Sequence, residues 1–282
     1  MSNTGDSGKS YHHQCTGLAL KTANEHQVDT EITFFAACFC PFVQRVWVAF
    51  EFLGIPYKYY EVDPYAKPQE LLEISPKGLV PGLRLKDGGK PRALNESTVI
   101  LEYLEDIASQ TTGRSLLPPS SDPYVRALVR LQCDHVSRAL LPAFYRYLQA
   151  QDADAQIAGG KEFVEAIDGL IRLLERQERE TPQYRTGQGE GLWREGGEIN
   201  LLDVVAGPWL FRATNVLTHY RGFDVPSGPK FNAWTQRLFE HPAFKATRSD
   251  EQLYLDSYER YAYNRPNTSQ VVNAINAGLA LP

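Results

Sequence analysis

Apolar residues in this chain follow two different periods up to about residue 110 and only one beyond it. The run Ile32-Thr33-Phe34-Phe35 is β-branched and aromatic, with the length of a buried strand. Val43, Val46, Trp47 and Phe50 then recur at i, i+3, i+4 and i+7, which predicts a helix with one apolar stripe. Pro41 suits its first position, and Gly54 with Pro56 ends it. Tyr57 to Val62 predicts a second strand, and Pro68 to Ile74 a short helix stopped by Ser75-Pro76. Leu83 to Leu85 and Arg92 to Leu94, either side of Asp87-Gly88-Gly89, predict a hairpin. Ser97 is placed to cap a helix whose Ile100, Leu101, Leu104 and Ile107 face inward, with the Glu96 carboxylate beside its start.

Residues 110–121 are rich in turn formers and read as a linker. Past them no strand pattern recurs. Asp122 to Ala150 and Ala155 to Glu180 predict two long helices, the first kinked at Pro142. A Gly-rich loop covers Thr181 to Glu198, with a Gly-rich insertion at Gln188 to Gly197. Asn200 with Asp203 three residues on resembles a capping box before an apolar helix containing Leu201, Val204, Val205 and Pro208-Trp209. Two or three further helices reach Asn264, residues 265–282 read as a loosely held tail, and residues 1–28 read as a flexible arm. The result is a small α/β domain at 29–109 and an all-helical domain at 122–264.

Composition narrows the function. Lys and Arg number 29 against 34 Asp and Glu, a formal charge of −5, which disfavours nucleic acid as a partner. No run approaches the roughly 18 apolar residues of a membrane span, and the first residues lack a signal-peptide core. A cytoplasmic location is therefore expected. Four cysteines are too few for a disulfide framework in 282 residues, so free thiols are expected. Two decoys lie in the arm. Gly5 to Ser10 imitates a phosphate loop, but its glycines are too close together and no strand precedes it. His12, His13 and Cys15 carry metal-ligating types without ligand patterning, and no metal is expected.

Candidate chemistry centres on Cys40, at the predicted N-terminus of the helix beginning at Pro41. Unpaired N–H groups and the macrodipole there favour an anion, so the thiol is expected to ionise below its free value and act as a nucleophile. Cys133, among apolar helical residues, reads as packing. Three further features could hold a small anionic peptide. Val80-Pro81 after Gly78-Leu79 suits a cis turn that presents the Val80 backbone to an extended peptide. Glu96-Ser97 suits a carboxylate at a helix start and an ammonium on Glu96. Lys67 is free to meet a second carboxylate. Cys38, two residues from Cys40, would share its side of an extended strand. It reads either as a resolving thiol or as a residue packed beneath the helix.

Phe39-Cys40-Pro41-Phe42 followed by Arg45, then Gly78-Leu79-Val80-Pro81, Glu96-Ser97, and Asp203 with Pro208-Trp209, together resemble the cytosolic glutathione transferases, most specifically the omega class. The resemblance implies an N-terminal thioredoxin-like α/β domain followed by an all-α C-terminal domain. It implies that Cys40 forms a mixed disulfide with glutathione, with no metal. Phe42, Leu79, Val80 and Pro81 would line the peptide site, Lys67 would meet the glycyl carboxylate, and Glu96 and Ser97 the γ-glutamyl end. Arg212 and Trp234 would line a second-substrate pocket between the domains. The implied reactions are deglutathionylation and reduction of dehydroascorbate or glutathionyl ketones, in a homodimer. Three alternatives remain: an intracellular chloride-channel-like protein, a glutathione-dependent lyase or isomerase of specialised metabolism, and a hydrophobic-ligand carrier.

Overall fold

The computed structural model describes residues 11–86, 89–184, 189–226, 228–266 and 268–282. The phosphate-loop decoy at Gly5 to Ser10, Asp87-Gly88 of the predicted turn and Gln188 of the predicted insertion lie outside the described residues. The elements run α1 (Gly17–Glu25), β1 (Ile32–Ala36), α2 (Pro41–Leu53), β2 (Lys58–Glu61), α3 (Gln69–Ile74), β3 (Gly82–Leu85), β4 (Arg92–Asn95) and α4 (Ser97–Thr111). The helical half continues as α5 (Pro123–His135), α6 (Leu141–Gln149), α7 (Ala153–Glu180), α8 (Leu201–Arg212), α9 (Thr218–Arg221), α10 (Pro229–Glu240), α11 (Pro242–Ala246), α12 (Glu251–Ala262) and α13 (Gln270–Asn276).

The four strands lie in the order β2-β1-β3-β4, with β1 parallel to β2 and antiparallel to β3. β1 is central and buried along its whole length, which accounts for its continuous apolar run. Its two faces meet different neighbours. Phe35 packs with Val62, Leu71 and Ile74 toward α3. Phe34 faces α2 and α4, in a core that continues without interruption into the helical half. α2 packs on both α4 and α8, so the helix carrying Cys40 is wedged between the two halves of the molecule.

The predicted kink at Pro142 takes a definite form. Residues Val136 to Leu140 make one wide π turn, and Pro142 then falls in the first turn of α6, where its missing N–H is not needed.

Two segments differ from the sequence reading. Residues 11–28 are not a loose arm: Gly17–Glu25 is helical, Cys15 and Ala19 are buried, and α1 packs on α11. Its inward face is built of Ala19, Thr22 and Ala23, residues too small to register as an apolar stripe. The tail holds α13, capped by Ser269 accepting from Val272 N at 3.1 Å and packed on α6 through the buried Val272.

Candidate active site

Cys40 caps α2 in extended conformation, with Pro41 opening the helix. β1 ends at Ala36, and Ala37 to Phe39 form a tight turn closed by Cys40 N donating to Ala37 O at 3.0 Å. Arg212 clamps this turn from α8. Its Nη2 donates to Phe39 O at 2.8 Å, and its Nη1 to Gln44 Oε1 at 2.7 Å and Pro208 O at 2.9 Å. Cys40 as a residue is half-buried, and its thiol, turned inward, donates to Val80 O at 3.9 Å.

The balance on that thiol departs from the sequence expectation. Burial pushes its pKa up, against the pull of the Val43 and Phe42 N–H groups and the charges of Arg212 and Arg45. Desolvation by the surrounding domains outweighs the helix N-terminus, and a helical spacing in one dimension could not have revealed it.

Beside Cys40 opens a cleft of about 830 Å³ between the halves. Phe42, Leu79, Val80, Pro81, Glu96 and Ser97 line its α/β wall, so three separate chain segments converge there. The Val80-Pro81 peptide is cis. The turn before it is held by Ser75, whose backbone O accepts from Gly78 N at 2.7 Å and whose Oγ accepts from Leu79 N at 3.1 Å. Glu96, not Ser97, is the cap residue of α4; its φ of 69° is left-handed, a conformation costing on the order of 1 kcal/mol or more in a non-glycine residue. Ser97 is the first helical residue, and its Oγ accepts from Arg45 Nη1 at 3.3 Å.

The opposite wall comes from the start of α6 and from the C-terminal residues 278–282. Sequence reasoning missed this wall altogether. The tail residues concerned, Gly-Leu-Ala-Leu-Pro at 278–282, are too few to give a periodic signal.

Four candidate residues lie elsewhere than expected. Lys67 is exposed and packs over Gly78, donating to Lys77 O at 3.4 Å, and does not line the cleft. Arg212 is fully buried, engaged with the Phe39 turn and stacked over Tyr254 at 4.5 Å, so it shapes the turn before Cys40 instead of lining a pocket. Trp234 is likewise fully buried, its Nε1 donating to Asp203 Oδ1 at 2.7 Å. The resemblance assigns both to the cleft, but α8 and α10 turn these side chains inward. Cys38 lies in the turn, past the end of β1, so the same-side geometry of a strand does not apply. Its thiol donates to His12 O at 3.3 Å.

The N-terminal segment is fixed here by Glu61. Glu61 Oε2 accepts from Cys15 N and Cys15 Sγ, both at 3.3 Å, and from Tyr59 OH at 3.2 Å. His12 pairs with Asp256 at 3.0 Å and His13 with Asp63 at 2.9 Å, so these residues fasten the segment. Among the described residues no His, Cys, Asp and Glu group is arranged to hold a metal. Burial pushes the Glu61 carboxyl up to about 7 from an ordinary 4.5, and the Asp203 carboxyl up to about 6. Between these values the folded chain keeps protons that the unfolded chain has released, so stability falls as pH rises through the window. We expect urea unfolding to show higher stability at about pH 5 than at about pH 7.5. Glu61→Gln should remove the upper part of that slope, on the order of 1–3 kcal/mol. An unchanged slope would place the titration elsewhere.

The comparisons agree with this architecture. The glutathione S-transferase N-terminal domain family matches residues 39–107. Glutathione transferase Omega 3C from Trametes versicolor superposes with a TM-score of 0.73 at 35% identity, covering 89% of this chain and 98% of that one. A probable glutathione S-transferase BZ2 from Zea mays is 30% identical over 75% of this chain and 88% of its own length. A pyrimidodiazepine synthase from Drosophila melanogaster is 27% identical over 86% and 91%. A thioredoxin-like domain with a helical partner and a cleft between them defines a glutathione transferase fold. The chain belongs to the glutathione transferase family.

Proposed function

We propose that this chain is an omega-like glutathione thiol transferase in which Cys40 is the nucleophile. The observation that carries this reading is a thiol, not a hydroxyl, at the start of α2, 3.9 Å from Val80 O on the wall of the cleft. The Cys40 thiolate attacks the glutathionyl sulfur of a mixed disulfide R–S–SG. A Cys40–SG bond forms, the S–S bond of the mixed disulfide breaks, and the thiolate RS⁻ leaves. A second glutathione thiolate then attacks the Cys40–SG sulfur, releasing oxidised glutathione and restoring Cys40. Deglutathionylation and reduction of dehydroascorbate or glutathionyl ketones use the same thiol.

In this reading Val80 pairs with the cysteinyl backbone of glutathione through its own N–H and C=O. Glu96 takes the ammonium and Ser97 the carboxylate of the γ-glutamyl end, with Phe42, Leu79 and Pro81 as the surrounding wall. Lys67, which lies over Gly78 next to Leu79, would meet the glycyl carboxylate. Cys38, held under His12 O, acts as a packing residue, and the mechanism needs one thiol. The enzyme works as a cytoplasmic homodimer. Val99 on α4 is 50% exposed and Leu131 on α5 is 41% exposed, which leaves apolar surface for a second copy. Among the described residues no helix is long and apolar enough to cross a membrane.

The test is intact mass after incubation with oxidised glutathione. One glutathione adduct is expected on the wild type and none on Cys40→Ser; an adduct that persists in the variant assigns the nucleophile to another thiol. The Drosophila relative favours a second reading, a glutathione-dependent enzyme of specialised metabolism, on the strength of its name and 86% coverage of this chain. That reading uses the same site residues.

A further inference from the structure

The cleft beside Cys40 carries more positive charge than a peptide site on its α/β wall uses. Among the described residues four cationic side chains line it, Arg45, Lys77, Arg138 and Arg146, against one carboxylate, Glu96. In a chain of net charge −5 this excess is local to the cleft. Arg45 is committed to the α/β wall, its Nη1 donating to Ser97 Oγ at 3.3 Å. Lys77 adjoins Gly78, at the glycyl end of the proposed peptide site. Arg138, in the π turn, and Arg146, on α6, belong to the opposite wall, where the glutathione reading gives them nothing to bind.

Each of these two arginines is braced by a carboxylate outside the cleft. Arg138 Nε donates to Asp134 Oδ1 at 2.7 Å, and Arg146 Nε donates to Glu162 Oε2 at 3.0 Å, with its Nη2 on Oε1. Neither Asp134 nor Glu162 lines the cleft, so each pair presents its positive end there. Arg138 keeps both Nη groups, and Arg146 its Nη1, without a partner among the described residues. A guanidinium with spare N–H groups in a fixed fork suits a carboxylate. Arg146 follows Tyr145, at which the charge of a Cys40 thiolate is felt, so this stretch of α6 runs past the reacting sulfur. Leu141, Pro142, Val271 and Leu281 give the same wall its apolar surface.

We infer that the group R of the substrate R–S–SG is an anion on an apolar carbon frame, selected by Arg138 and Arg146. The inference rests on the glutathione reading and deepens it by naming the class of the second substrate, a glutathionylated thiol acid. In the exchange the Cys40–SG bond forms, the disulfide S–S bond breaks, and the electron pair leaves with the R sulfur. The leaving fragment then carries two negative charges, a thiolate and a carboxylate, opposite a cationic wall that favours both.

The test uses three mixed disulfides of glutathione that differ in the charge of R: those with 3-mercaptopropionate, 2-mercaptoethanol and cysteamine, at pH 7. For each, kcat/KM of the full chain is divided by the rate of its uncatalysed exchange with 2-mercaptoethanol, which removes the leaving thiol's own reactivity. The expected order is acid, neutral, amine. The acid should exceed the amine by about tenfold or more at ~20 mM salt, and by about threefold at ~0.5 M. Arg138→Gln with Arg146→Gln should bring the low-salt ratio below about threefold, through loss of rate on the acid. A wild-type ratio near one, or in favour of the amine, overturns the inference. So does a ratio that survives both substitutions. An equal fall on all three disulfides also overturns it, because that assigns the arginines to the glutathione half that the three share. If the double variant does not fold, Arg138→Gln alone decides, at a side chain 80% exposed. It should cut the ratio by about twofold or more, and an unchanged ratio overturns the inference. A wild type that turns over none of the three overturns the glutathione reading itself, and the inference with it.

Discussion

Cys40→Ser is expected to lower glutathione disulfide exchange by more than about 10³-fold, to the rate of the uncatalysed reaction. A serine hydroxyl cannot form a mixed disulfide, so the first covalent step is lost outright. The substitution is nearly isosteric, and the backbone bonds that shape the turn remain: Cys40 N to Ala37 O at 3.0 Å and Arg212 Nη2 to Phe39 O at 2.8 Å. Thermal unfolding should therefore move by less than about 2 °C, separating lost chemistry from lost fold. The measurement is turnover of the mixed disulfide of glutathione and 2-mercaptoethanol. Retention of more than about a tenth of the activity would transfer the nucleophile to Cys38 or Cys15. Cys15 is a poor candidate, since it is only 2% exposed and its Sγ donates to Glu61 Oε2 at 3.3 Å.

The second large effect is on stability. Asp203 is 1% exposed and accepts three hydrogen bonds: Oδ2 from Leu192 N and Asn200 N, both at 2.9 Å, and Oδ1 from Trp234 Nε1 at 2.7 Å. With Asn200 Oδ1 accepting from Asp203 N at 3.1 Å, this forms a complete capping box on α8, the helix that carries Arg212 to the turn before Cys40. It also holds the Gly-rich loop. Gly191 has a φ of 60°, and a Cβ there would lie 2.5 Å from Asp203 Oδ2, so only glycine lets the loop approach. Asp203→Ala strands three buried donors and should cost about 3–5 kcal/mol, lowering the unfolding temperature by roughly 6–15 °C. Scanning calorimetry checks this. A shift under about 3 °C would mean that water replaces the carboxylate.

Much of the α/β half was legible because its signals are local. The β1 run, the stripe on α2, the Val80-Pro81 turn and the start of α4 each lie within a few residues, and the structure builds these elements within one or two residues of the expected bounds. Asn200 and Asp203 were legible for the same reason. The termini were not. α1 buries alanines and a threonine, and α13 has only seven residues, so neither produces a periodic signal.

The site divides along the same line. By itself the sequence determined that a cysteine begins a helix and that a Val-Pro turn and a Glu-Ser helix start follow it, motifs that together resemble those of the glutathione transferases. These depend on residue type and short spacing. Only the tertiary structure decided that Arg212 and Trp234 point into the core, that the C-terminal residues form the far wall of the cleft, and that desolvation outweighs the helix dipole at Cys40. Burial and direction are properties of the packed whole. Arg45 shows this most clearly: the motif contains it, but its burial against Trp209, with Nε and Nη2 lacking a hydrogen-bond partner, became visible only in the folded chain.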